Sequence, residues 1–203
     1  MGAESSIEVR DMTPADAPAA VGVLARGMRD NPLHVVAYGD DPDRRERVHA
    51  KVCFFVLEKM EAQEPIVAVD GGRIVAVAGS TPPGHCQPNA REKLQMLPAL
   101  AGLGPRTGLK VMSWTGTWSK HDPDEAHVHL GPVGVDRDLQ GRGIGSVLMA
   151  EHCRRLDSAG AVGYLETDKE INVSFYERFG YVTVGEADVI GVPNWFMRRP
   201  AAG

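Results

Sequence analysis

Between positions 140 and 146 the chain reads Gln-Gly-Arg-Gly-Ile-Gly-Ser, with glycine at every second place just ahead of an apolar stretch of helical period. Alternating glycines let a backbone approach a ligand closely, and a helix start leaves several amide N–H groups without internal acceptors. Such a turn suits an anion. Hydrogen bonds from three or four amides to a charged group, at about 1.5–3 kcal/mol each, would supply much of the ~8 kcal/mol that micromolar binding requires. The loop has no lysine where a Gly-x-x-x-x-Gly-Lys-Ser/Thr phosphate loop needs one. Ser146 stands where the third glycine of a dinucleotide-binding turn would be, and the motif lies late in the chain. Nucleotide and NAD readings both weaken.

Other reactive types are scattered. His127 and His129 precede the loop, while Glu166 and Tyr176 follow it. Cys53, Cys86 and Cys153 are odd in number and form no Cys-x-x-Cys pair, so neither a disulfide framework nor a zinc site is indicated. Cys86 beside His85 has the types of a nucleophile and its base but no visible third group to orient them, and all three thiols read as structural.

Those residues must be held by a framework that the pattern outlines. Ile7 and Val9 alternate with charged residues as a strand does, and Thr13-Pro14-Ala15-Asp16 caps a helix running to about Met28, where Asn31-Pro32 stops it. A second helix from Asp41-Pro42 carries Val48, Val52, Phe55, Val56 and Met60 on one face, and Asp70-Gly71-Gly72 turns a hairpin between 65–70 and 73–80. From 81 to 124 Pro82, Pro83, Pro88, Pro98 and Pro105 interrupt the periodicity, with a helix expected near 90–101 and Trp114 and Trp118 sharing a face as core or as a ligand wall. Thereafter a strand over 126–135 is bent or bulged at Gly131-Pro132, and a helix over 143–159 turns Ile144, Val147, Leu148, Cys153 and Leu156 inward. A strand over 162–167, a short helix over 171–179 and two closing strands complete the chain.

Composition narrows the classes. One ordinary domain fits 203 residues. The net charge of −5 without a basic run argues against nucleic acid or an anionic membrane as partner, and no apolar run is long enough for a membrane span. Met1 to Arg10 has no apolar signal core, so a cytoplasmic location is expected. Gly 23 and Pro 14 are an excess, concentrated in the 81–124 segment and the anion loop.

The segment Gln140 to Gly145 resembles the Gln/Arg-x-x-Gly-x-Gly/Ala signature of the GCN5-related N-acetyltransferases. Asn172-Val173-Ser174-Phe175-Tyr176-Glu177-Arg178-Phe179-Gly180-Tyr181 is similar to that family's Asn-x-x-x-x-Tyr-x-x-x-Gly-Phe segment. Within the family, the runs Asp41–Val48, Val133-Gly134-Val135, Leu165-Glu166-Thr167 and Phe175 to Arg178 look like its puromycin N-acetyltransferase branch. The resemblance implies an α/β domain with a twisted, mostly antiparallel sheet of about seven strands, splayed in the middle and flanked by helices on both faces. Positions 126–199 would form the acetyl-CoA half and 81–124 a variable acceptor side.

It also implies roles. Val133, Gly134 and Val135 would offer backbone to the pantetheine arm, and Gln140, Gly141, Arg142, Gly143, Ile144, Gly145 and Ser146 would hold the phosphates. Asn172 would contact the lower pantetheine, and Tyr176 would stand near the thioester sulfur. A phenol of pKa ~10 protonating a thiolate whose thiol has pKa ~8.5 is uphill by ~2 kcal/mol, so a hydrogen bond to the departing thiolate is the safer description. An alkyl amine is neutral about one part in 2,500 at pH 7, a deficit of ~4.6 kcal/mol that a base would relieve. His127, His129 and Glu166 are the candidates, and alternation places both histidines on the side of Val133.

The implied activity is acetyl transfer from acetyl-CoA, without a metal, to a small-molecule amine. The alternatives are a protein N-terminus or lysine as acceptor, a non-catalytic acyl-CoA-binding module, and a nucleotide-binding regulator. The pattern is compatible with a homodimer and does not name the amine.

Overall fold

The structure, a computed structural model, describes residues 7–202. Chain order is β1 (Glu8–Asp11), α1 (Ala17–Gly27), α2 (Pro32–Tyr38), α3 (Pro42–Lys59), β2 (Ile66–Asp70), β3 (Arg73–Thr81), α4 (Ala90–Ala101) and α5 (Pro105–Ser119). It continues with β4 (His127–Val135), α6 (Ile144–Ala159), β5 (Val162–Thr167), α7 (Glu170–Glu177), β6 (Val182–Val189) and β7 (Val192–Arg199). The strands form one sheet of order β1-β2-β3-β4-β5-β7-β6, antiparallel throughout except for β4 and β5.

Alternation along the strands builds two layers. Ile66, Ala68, Ala76 and Ala78 face α6, where Leu148 and Met149 join Leu165 of β5 and Met197 of β7 to complete the main core. Val67, Val69 and Val77 face the other way, against Val23 and Leu24 of α1 and Cys53 and Leu57 of α3. A third cluster joins α2, α3 and α5 to the β6–β7 turn through Leu33, Tyr38, Trp114 and Val192. Apolar burial at about 25 cal/mol per Å² makes these layers the main stabilising term.

Most expected elements are present, and three details differ. α1 ends at Gly27 ahead of Asn31-Pro32 as expected, but the same dipeptide also opens a further helix: Asn31 stands at the N-cap position of α2 and Pro32 occupies its first turn, a place where the missing N–H costs nothing. Val147 points outward, 42% exposed, while Met149 and His152 join Ile144, Leu148, Cys153 and Leu156 on the buried side of α6. The third difference lies in β4. Its register against β3 shifts between Ser80↔Leu130 and Ala78↔Val133, so Gly131 and Pro132 oppose Gly79 alone. This is the expected bulge, and the Gly131–Pro132 peptide within it is cis. A Cβ on Gly79 would lie 2.7 Å from the Gly131 carbonyl oxygen, so only glycine fits opposite the bulge. The extra residue reverses the alternation beyond it. Val133 and Val135 consequently pack with Leu130 on the α6 face, and His127 and His129 lie on the opposite face, not on that of Val133 as alternation alone implied.

His152 on α6 is buried, with Nε2 3.1 Å from the Tyr181 hydroxyl, and burial first, then the nearby Arg199 and Arg155 charges, lowers its pKa to about 4. The unfolded imidazole titrates near ~6.5, so below that pH the unfolded chain takes up a proton that the folded one refuses. Stability should therefore fall as pH drops from about 6.5 toward 4, by at most ~1.4 kcal/mol per unit from this group, and be insensitive to it above 6.5. Melting temperatures recorded from pH 7 to 5 should fall less steeply in His152→Gln than in the parent; equal slopes would remove His152 from the account.

Candidate functional site

β4 and β5 run side by side for three rungs only, His127↔Val162, Val128↔Gly163 and His129↔Tyr164. Beyond His129 each strand stays paired on its far side, β4 with β3 and β5 with β7, while the two part from one another. A cleft of about 270 Å³ opens at this fork. Groups from both faces of the sheet line it: Val133, Asn172 and Tyr176 from the α6–α7 side, His129, Glu166 and Trp114 from the other.

At the fork His129 Nε2 lies 2.8 Å from Glu166 Oε2. The Glu166 side chain is 3% exposed, and its Oε1 is buried without a hydrogen-bond partner among the described residues. Burial opposes charge on His129, but the Glu166 carboxylate and then Asp122 outweigh it and raise the imidazole well above its usual range. Next to Glu166, Asp168 Oδ2 accepts from the Leu33 N–H at 2.8 Å and caps α2 from across the cleft.

On the other side the Tyr176 ring is buried between Phe175 and Tyr181. Burial, and then the Asp168 charge, pushes its phenol well above the ordinary value. The group is a neutral hydrogen-bond donor at any working pH. Asn172 is turned inward by its own contact, Nδ2 to Thr167 Oγ1 at 3.2 Å.

The glycine loop follows β4 after a single 3-10 turn, Arg137–Leu139. Gly141 and Gly143 have φ of +78° and +82°, in the left-handed region, while a Cβ at either would meet no atom. Glycine is thus needed there for conformation, not for room. Among the described residues the amides from Gly141 to Gly145 donate to no backbone or side-chain acceptor, and they stand at the start of α6 where the helix dipole favours negative charge. Gln140 works differently from the loop amides: its side-chain amide donates to the Gly27 and Val135 carbonyls at 2.9 and 3.1 Å and ties the loop to α1 and β4. Asp136, buried between Arg26 and Arg73 at 2.8 Å each, anchors the end of β4 from which the loop departs.

The Trp114 side of the cleft carries residues that sequence reasoning passed over. His34, Tyr38, His49 and Trp114 form a box of rings with centroids 3.9 to 6.5 Å apart. Burial depresses both imidazoles, His34 to about 4. Tyr38 Oη, both His49 nitrogens and Trp114 Nε1 are buried with no hydrogen-bond partner among the described residues, and these three residues line the cleft together with His34. The missing signal was α2, whose start was taken for a stop. Trp114 and Trp118 do share a face, at 5.1 Å edge to face, and act as core and as cleft wall together.

Cys53 and Cys153 are buried free thiols. Cys86 has a different setting from the one its sequence neighbours suggest: His85 is exposed, while Cys86 Sγ lies 3.3 Å from His127 Nε2. Burial would raise this thiol, but His127 and His129 outweigh burial and bring it to about 7.

A sequence-family model described as the Acetyltransferase (GNAT) family matches residues 33–181. Among solved structures, one from Corynebacterium glutamicum titled histone acetyltransferase HPA2 and related acetyltransferase superposes with a TM-score of 0.71 at 22% identity, covering 98% of each chain. A GNAT family acetyltransferase from Brucella melitensis in complex with acetyl-CoA gives 0.54 at 20% identity, over 98% of this chain and 91% of that one. The Drosophila melanogaster polyamine N-acetyltransferase, whose product is N-acetylagmatine, gives 0.58 at 18% identity over 95% and 98%.

Alanine at 143 must hold φ near +82° for the loop amides to converge, which costs about 1–2 kcal/mol. Gly143→Ala should therefore bind CoA roughly 5–30-fold more weakly by titration calorimetry, with the melting temperature little changed. Parental affinity would show that the loop does not hold the phosphates.

Proposed function

This chain belongs to the GNAT acetyltransferase family, whose donor is acetyl-CoA, and we propose that it acetylates the primary amine of a small, ring-bearing molecule by direct attack on the thioester. The observation that carries this reading is the fork itself. It opens onto free loop amides and the Tyr176 phenol on one face, and onto an unpartnered buried carboxylate and an aromatic box on the other.

The donor groups fit acetyl-CoA. The amides of Gly141 to Gly145, with Arg142 and Ser146 beside them, hold the pyrophosphate, and the open edge of β4 from Val133 through Gly134 to Val135 takes the pantetheine amides. Asn172 supports its lower end. Positions 126–199 form this half in one continuous domain, and 81–124 supplies much of the acceptor wall.

The amine enters from the face of the aromatic box. Glu166 Oε1 receives its ammonium, one proton passes to water to free the nitrogen lone pair, and Glu166 takes the second proton as the neutral nitrogen attacks the acetyl carbon. His129 holds Glu166 in place through Oε2, so that the free oxygen points into the cleft. The new C–N bond forms as the C–S bond breaks, and Tyr176 donates a hydrogen bond to the departing thiolate. Its raised pKa makes full proton transfer still less favourable than for an ordinary phenol, so stabilisation of sulfur is its role. Expulsion of water from the fork strengthens both contacts.

A small acceptor follows from the box. A buried polar atom left unpaired costs about 1–3 kcal/mol, and Tyr38, His49 and Trp114 present four such atoms to the cleft. A rigid amine with several heteroatoms, such as an aminonucleoside or aminosugar, satisfies more of them than a flexible polyamine does. A peptide terminus would need an open groove at this end. The three free cysteines suit a reducing cytoplasm, and no helix of the described residues is long and apolar enough to cross a membrane.

Free thiol released from acetyl-CoA should identify the acceptor in a panel of aminonucleosides, aminoglycosides and polyamines, and tight CoA binding with no turnover across it would favour a non-catalytic module. With an active amine, Tyr176→Phe should lower kcat by about 10²-fold at little change in the KM for acetyl-CoA. Glu166→Gln should lower kcat/KM for the amine by about 10²–10⁴-fold. Unchanged turnover in either variant removes that residue from the mechanism.

A further inference from the structure

Four side chains beside the fork converge on one point. Cys86 Sγ, Asp122 Oδ1, His127 Nε2 and His129 Nδ1 all lie within 4.8 Å of one another, drawn from the turn before α4, the turn after α5 and the first rungs of β4. His127 Nε2 is 3.3 Å from Cys86 Sγ and 3.5 Å from Asp122 Oδ1, which is also 3.5 Å from His129 Nδ1. A tetrahedral zinc, with Zn–S ~2.3 Å and Zn–N or Zn–O ~2.0–2.1 Å, sets its ligand atoms roughly 3.3–3.6 Å apart. We propose that these four residues bind one structural zinc ion, which clamps the acceptor-side loops to β4.

The hydrogen bonds around the cluster point to a cation more than to a proton network. N–H···O bonds in proteins run to about 3.2 Å, and Asp122 Oδ1 and His129 Nδ1 are buried with no hydrogen-bond partner among the described residues. The far atom of each of the three non-sulfur ligands is meanwhile well held. His127 Nδ1 donates to the Glu125 carbonyl at 2.9 Å, and His129 Nε2 faces the Glu166 carboxylate at 2.8 Å. Gln87 Nε2 donates to Asp122 Oδ2 at 2.6 Å. Partners of this kind fix the ring orientation and leave the opposite nitrogen lone pair for the metal, the outer shell that zinc histidines ordinarily carry.

Charge and ligand type agree. One thiolate and one carboxylate neutralise a divalent ion, and mixed sulfur, nitrogen and oxygen ligation in four-coordinate geometry suits zinc. Binding displaces to solvent the Cys86 thiol proton and the protons that His127 Nε2 and His129 Nδ1 carry in the metal-free cluster, where the neighbouring carboxylates raise both imidazoles. Four protein ligands leave no open position for water or substrate, so the ion is a staple and acetyl transfer needs no metal chemistry.

The staple has mechanical work to do. It joins the turn before α4 to the turn after α5 and so closes the whole segment between Cys86 and Asp122, where α4 buries Glu92 alone and Leu94, Leu97, Leu109 and Met112 are more than half exposed. It also fixes His129, and through it Glu166; that last consequence rests on the proposed function, whereas the metal does not.

Tag-free protein, purified without chelator, should contain one zinc per chain by mass spectrometry of the metal. Stripping it with a strong chelator should lower the melting temperature by several degrees, and added zinc should restore it. Cobalt(II) in its place should give the visible bands of a tetrahedral site and a near-ultraviolet thiolate band, the latter lost in Cys86→Ser. His127→Gln should lose zinc while Cys153→Ser retains it. Sub-stoichiometric zinc, no thermal response to chelator or metal, and cobalt spectra identical in parent and Cys86→Ser would overturn the proposal. Metal content and spectra are read without turnover, so failure of the acetyl-transfer reading leaves this test intact.

Discussion

The rest of the site depends on the parting of β4 from β5. Two parallel strands that separate after three rungs expose backbone donors and acceptors in the middle of a sheet, where unpaired groups are costly. The arrangement survives because each strand keeps its antiparallel partner on the outer side and because the bulge at Gly131 and Pro132 turns β4 away where pairing ends. The open edge is thereby a place for amides of a ligand, and the gap connects two faces that a continuous sheet would keep apart.

Electrostatics give the two faces opposite characters. The loop before α6 presents unpaired N–H groups at a helix start, which attract phosphate. The Trp114 side of the cleft carries Glu166 and Asp168, whose charge suits the amine proposed as acceptor. On the proposed reading a chain with net charge −5 would bind its anionic donor through local dipoles, and its overall charge would not repel an amine. Tyr176 sits where the two characters meet, and its burial keeps it neutral and able to donate to either.

Local sequence made some parts legible and hid others, for reasons that differ by residue. Gly141 and Gly143 announced themselves because a backbone in the left-handed region admits little else, and the Tyr176 segment because its spacing recurs in a family. Asn31-Pro32 misled because the same dipeptide serves to stop one helix and to start the next. The faces of His127 and His129 were misjudged because a single inserted residue reverses alternation, and a bulge is legible as glycine and proline without its register being so. The Cys86 cluster gave no spacing signal because its members come from three segments that meet only when α4 and α5 fold back over the sheet.

Sequence alone determined the glycine loop, the strand and helix order around it, the hairpin at Gly71 and Gly72, and the family whose chemistry those motifs imply. These are matters of neighbouring residues, where backbone preference and period act within one turn or one strand. Tertiary structure alone decided that Glu166 keeps one oxygen free and that an aromatic box lines the acceptor end. It also decided that Cys86 meets His127 in place of His85. Each of those depends on residues far apart in the chain being pressed together by burial, which apolar pattern demands in general but whose particular contacts only packing selects.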